Sequence, residues 1–205
     1  MKSRNWWSSC LVFLAWLPIA LAESPATQSS AGPTDVFRGF LQDIQRGNSA
    51  DLVGVCSARG EDAKGLVRDF QAVASAMQYL RTIVSAKFGP DAWAAVLPSL
   101  PMPADLDDVT ETITGDQAQL TGANISKVRM IRVLGSWKLD VDGLLQSDEA
   151  PANIHWFSAM AEAMRRTADD VAAGRLTTAA AAAEAIAARV QAIPDVPTTQ
   201  AATRP

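Results

Sequence analysis

This chain is short of the residues that do chemistry. Its 205 residues hold one histidine, one tyrosine and two cysteines. One histidine and no thiolate pair are too few ligands for a zinc site, so no metal is expected. A serine nucleophile needs a base and an orienting acid, and here one histidine would have to serve any candidate serine. No G-x-S-x-G stretch is present, and the glycines are scattered rather than gathered into a phosphate loop. Clusters of lysine and arginine are missing too, and the formal net charge is −4. That balance argues against nucleic acid as a partner, because phosphate neutralisation supplies most non-specific affinity. No cofactor is implied.

What the N-terminus does have is an export pattern. Lys2 and Arg4 precede an apolar run from Cys10 to Ala22, which closes in Ala20-Leu21-Ala22. These are the three parts of a signal peptide, with cleavage expected after Ala22. The run is short for a bilayer span of about 20 residues and contains Pro18, so no stable membrane span is expected after cleavage. The protein is therefore expected in the periplasm or secreted. Cleavage removes two basic residues and no acidic ones, moving the net charge from −4 to −6. It also leaves Cys56 alone, just after Val53 and Val55, which favour a small buried hydrophobe over a reactive thiol.

Residues 23–33 (ESPATQSSAGP) form a polar linker, and 194–205 a similar tail; both are expected to be disordered. Residues 34–193 are expected to form a single α+β domain. Its first helix starts at Thr34, the expected N-cap, and stops at Gly47-Asn48. A short helical piece covers about 51–56. A long helix follows from Glu61 to Phe88, with Leu66, Phe70, Val73, Met77, Leu80 and Val84 on one face. One or two turns over 91–97 point Trp93 and Val96 inward.

Beyond Pro103 the period changes to two. Val109, Glu111 and Ile113 alternate with threonines, Gly115-Asp116 turns the chain, and 117–121 returns. The stretch SKVRMIRVLGSWKLDVDGL (126–144) supplies two more strands, giving an antiparallel four-stranded meander. A C-terminal helical hairpin over 151–193 completes the chain. Gly174 lies between its helices, Thr177 or Thr178 caps the second, and the alanine run 179–183 favours helix.

The order of these features resembles the nuclear transport factor 2-like superfamily, which includes SnoaL-like and ketosteroid-isomerase-like proteins. The resemblance covers about 34–144 and is carried by VFRGFLQDIQRGNSADLV and GDQAQLTG…VRMIRVLGSWKLDVDG. It implies a cone-like fold, a curved sheet wrapped around N-terminal helices, often enclosing a pocket. In the isomerase branch a tyrosine and a protonated carboxylic acid donate to an oxyanion while an aspartate is the base. Here Tyr79 falls within the long helix, and the strand carboxylates are Glu111 and Asp140. None matches that constellation, so its roles are not transferred. Superfolds of this kind host enzymes, binding modules and assembly domains alike.

Four residues are candidates for ligand binding: Tyr79, Arg132, Trp137 and His155; no catalytic residue is assigned. His155, beside Trp156 near a helix start, reads foremost as a partly exposed first-turn residue. Asp140-x-Asp142-Gly143 has the look of calcium ligands but lacks the remaining ligands of an EF-hand loop. Asp142-Gly143 reads more simply as a turn. The face of Arg132 depends on the hairpin at 134–136. A two-residue turn sets Val128, Met130 and Arg132 beside Trp137 and Leu139. A three-residue turn sets Ile131 and Val133 there and sends Arg132 outward with Lys138. Apolar accounting favours the three-residue turn. The function expected is a non-catalytic binding or assembly module. Its partner would be a protein or a second copy of the chain, or a small apolar ligand. The alternatives are a lyase or isomerase using a cone pocket, and a small-ligand carrier.

Overall fold

The computed structural model describes residues 31–101, 106–122, 125–146 and 150–194. The expected signal peptide, most of the 23–33 linker and all but the first residue of the tail lie outside them. Among the described residues the fold is mixed α+β, with seven α-helices and a five-stranded, mostly antiparallel sheet.

Helix α1 spans Pro33–Arg46, its N-cap two residues earlier than expected. Its N-cap is Gly32, with Pro33 in the first turn, where a missing N–H costs nothing. Thr34 is thus inside the helix rather than its cap. Its backbone N–H and its hydroxyl both donate to Glu111 Oε2, at 3.1 and 2.7 Å. A carboxylate brought from the sheet satisfies the positive helix end that a local hydroxyl was expected to serve. Gly47 ends α1 in the left-handed region, at φ 78°. Its backbone lies so close to the next helix that an added Cβ would fall 2.4 Å from Gln78 Cβ.

Helix α2 (Leu52–Val55) leads into a two-residue strand β1 (Cys56–Ser57). Helix α3 runs over Glu61–Phe88, as its periodicity predicts. Gly89 stops it, α4 (Ala92–Val96) follows, and a 3-10 turn covers Leu97–Ser99. Strands β2 (Thr110–Thr114), β3 (Gln117–Gly122), β4 (Ile125–Val133) and β5 (Ser136–Asp140) come next. Each pairs antiparallel with its successor. Strand β1 adds a fifth member, pairing parallel with β5 at the edge (order β1-β5-β4-β3-β2). Two residues carry no readable periodicity, so a four-stranded count was all the pattern allowed.

Asp142-Gly143 is not a free turn. It lies in a short helix, α5 (Val141–Leu145), whose N-cap Asp140 accepts from the Gly143 N–H at 3.1 Å. The C-terminal pair is α6 (Ala150–Ala172) and α7 (Ala179–Gln191), with Gly174 left-handed between them. Thr178 caps α7 by accepting from the Ala181 N–H.

The core lies on one face of the sheet and between the helices. One sheet face carries Ala118, Leu120, Val128, Met130, Trp137 and Leu139, all buried. Helix α1 contacts β3, β5 and α3, while α6 packs along α3 and α7 packs on α6, α4 and the 3-10 turn. Phe40, Phe70 and Phe157 link α1, α3 and α6 by edge-on ring contacts at 5.2 and 4.8 Å. The hairpin of α6 and α7 is therefore docked, with Met160, Met164 and Ile186 fully buried. No described helix is long and apolar enough to cross a membrane.

Candidate functional site

The β4–β5 hairpin turns through two residues. Leu134 and Gly135 both have positive φ, at 51° and 82°, and Val133 pairs with Ser136. This is the type I′ geometry, whose twist matches the flanking strands. The expected three-residue turn is not formed: hairpin twist outweighs the apolar accounting, and Ile131 and Val133 lie half-buried on the other face.

Arg132 is thereby directly opposite Trp137, on the face that carries the core. Its guanidinium does not enter that core. It lies over the Trp137 indole, 4.5 Å from the ring centroid, and reaches Asp116 at 4.0 Å. The indole itself is buried, so this pair closes one end of the sheet.

Tyr79 and His155 are not part of this arrangement. Tyr79 projects from α3, exposed, and its hydroxyl donates to Asp169 Oδ1 of α6 at 3.0 Å. That bond to a carboxylate pushes the phenol above its ordinary value. His155 is exposed on α6, fourteen residues before Asp169, roughly 21 Å along the helix. Of the four candidates, only Arg132 and Trp137 meet.

The acidic motif is structural. Asp142 accepts from the backbone N–H groups of Arg59 and Gly60, at 2.8 and 3.0 Å, where the chain enters α3. These two bonds hold its carboxyl below the ordinary aspartate value. Asp140, nearly buried, faces Arg129 at 3.7 Å as well as capping α5. No group of three or more acidic, histidine or cysteine side chains among the described residues is placed to hold a metal. Cys56 is free and buried, and burial pushes its thiol up to about 12, partly offset by Lys138. It stays a protonated, inert thiol.

Sequence reasoning missed a surface groove. It is about 680 Å³ and runs between α3 and α4, beside the end of α1. Gln78, Arg81, Thr82 and Ser85 form one wall; their spacing of three and four puts them on one face of α3. Trp93, Ala94 and Leu97 form the other, and Arg46 stands at the end of α1. The signal available in the sequence was the polar run Gln78-Arg81-Thr82-Ser85 opposite the apolar stripe of α3. It reads as an ordinary solvated face until α4 folds back over it.

A search of protein-family models, of curated proteins and of solved structures found no match to the chain.

Proposed function

We propose that this protein is an exported, non-catalytic binding module that takes its ligand at the surface. The observation carrying this reading is the packing of the sheet face among the described residues. The sheet face that an enclosed pocket would use is packed with Leu120, Met130, Trp137 and Leu139, none more than 4 % exposed. Polar groups able to serve a substrate are spread instead over separate elements, and each of Tyr79, Asp140 and Asp142 is engaged in a structural bond. Helices α1 to α3 followed by the β2–β5 meander also support reading 34–144 as a cone-like relative of the nuclear transport factor 2-like superfamily. In that reading the cone is solid, and α6 and α7 are its addition. The export half of the proposal rests on the n-region, apolar run and Ala-x-Ala of the first 22 residues.

A panel of small anions, sugars, nucleotides and apolar compounds, read by thermal shift, tests the binding half. A ligand at one hundred times its Kd stabilises by about 2.7 kcal/mol. At least one class should raise Tm and be recovered unchanged by mass spectrometry. Conversion of a panel compound, lost in Arg132→Ala or His155→Ala, would overturn the non-catalytic reading in favour of a lyase or isomerase. Intact mass of exported protein should begin at Glu23; a retained Met1 would end the export proposal.

A further inference from the structure

We propose that the groove between α3 and α4 binds a small organic anion, a carboxylate or phosphate carried on a flat apolar body. The assignment rests on the binding-module reading and names its ligand class. Its volume of about 680 Å³ lies within the range of small-molecule sites, about 300–1,000 Å³.

Charge is the first argument. The chain carries 22 acidic against 18 basic residues, yet this groove is lined by Arg46 and Arg81 and by a single acid, Asp91. Elsewhere seven arginines hold a carboxylate within 4.0 Å. Among the described residues four arginines hold none, Arg46, Arg59, Arg68 and Arg81, and two of the four, Arg46 and Arg81, line this one groove although the chain has acid in excess. Arg46 lies in the last turn of α1, where the helix dipole favours a cation. Arg81 lies in the body of α3 and has no such compensation. A guanidinium offers a planar fork of donors that fits carboxylate and phosphate, so an anion is the ligand that uses both residues.

Position is the second. Gly47 leaves no room for a Cβ against Gln78, so the end of α1 is fixed on α3 beside the groove. The backbone that carries Arg46 is thus fixed beside the groove that Arg81 also lines, so binding has only the two side chains to order. Composition of the far wall is the third. Trp93 is half-buried and packs against the core, and with Ala94 and Leu97 it gives the groove an apolar side opposite Thr82 and Ser85. A cationic wall facing an aromatic one suits a ligand with a charged head and a flat body.

The probes are 2-naphthoate, 2-naphthyl phosphate and uncharged 2-naphthamide, titrated calorimetrically into the full-length mature protein. At least one naphthyl anion should bind, and the amide should bind at least about tenfold more weakly. The tighter of the two anions identifies the head group. Arg81→Gln should weaken the anion about tenfold, Arg46→Gln in the same direction, and Trp93→Leu should weaken all three probes. Arg38→Gln, outside the groove, should leave affinity unchanged. Circular dichroism and Tm confirm that each variant is folded. Equal binding of the amide, or wild-type affinity in the Arg46→Gln, Arg81→Gln double variant, would overturn the assignment. Loss of binding in Arg132→Gln alone would move the site to the hairpin and leave the binding-module reading standing. No binding of either anion at millimolar concentration would end the groove proposal, while the wider panel separately decides the module.

Discussion

The seam between α3 and α6 and the strand β2 were equally regular as sequence, and they fare oppositely in the fold. Along the seam Met77, Leu80 and Val84 of α3 and Met160, Met164 and Val171 of α6 are all fully or almost fully buried. Along β2 none of the five residues is buried, and Ile113 stays 48 % exposed. Periodicity reports local conformation in both cases. Burial is decided by whether a second element arrives, and β2 is the outermost strand, opposite the edge held by β1. Its threonines and Glu111 give it the polar dress of an open edge.

Removing one side of the seam should have the largest effect. A chain ending at Gln146 lacks α6 and α7 and leaves the stripe of α3 in water; it should show no cooperative melting. Melting and solution mass unchanged from the full chain would make the two regions equal. Next, Leu80→Ala should cost about 2–5 kcal/mol in denaturant unfolding, from lost burial and the cavity left behind. Asp142→Asn should cost about 1 kcal/mol, the scale of a lost helix-end cap. Because the folded carboxyl is held below its ordinary value, this contribution is full above the unfolded value of 3.8 and fades as pH falls through the folded one. The gap between wild type and Asp142→Asn should therefore close in acid; a gap constant from pH 7 to pH 2 contradicts the assignment. Arg132→Ala should lose about 0.5–1 kcal/mol, as for an exposed cation over an indole. Smallest of all, Ile113→Thr should stay within about 0.5 kcal/mol. A loss there as large as at Leu80 would mean that β2 is covered, and the comparison would break.

The helices were legible because each long one carries its own partner code. The stripe from Leu66 to Val84 fixes both the limits of α3 and the face that α6 covers. Gly47, Gly89 and Gly174 mark ends that need, or readily accept, positive φ, and all three were readable. Strand β1 was not, since Cys56-Ser57 becomes a strand only through Leu139 and Asp140, more than eighty residues away. The cap of α1 was missed for the same reason: Glu111 lies 77 residues from Thr34. The hairpin register was misjudged because counting apolar residues ignores twist, which selected the two-residue turn even with Leu134, fully exposed, at positive φ. Trp137 is buried on the core face, whereas the groove was hidden because Arg46, Arg81 and Trp93 come from three elements.

The seam has a consequence in time as well as in space. Its contacts join residues such as Tyr79 to Asp169 and Asp69 to Ser158, about ninety positions apart. A chain delivered from its N-terminus completes α3 long before α6 exists to cover it. The buried half of that helix must then wait, exposed, while the whole sheet is made. Closing a loop over such separations costs more entropy than closing a local one. Residues 150–191 therefore act as the clasp: the half of α3 that they cover is closed only by the part of the chain made after the sheet.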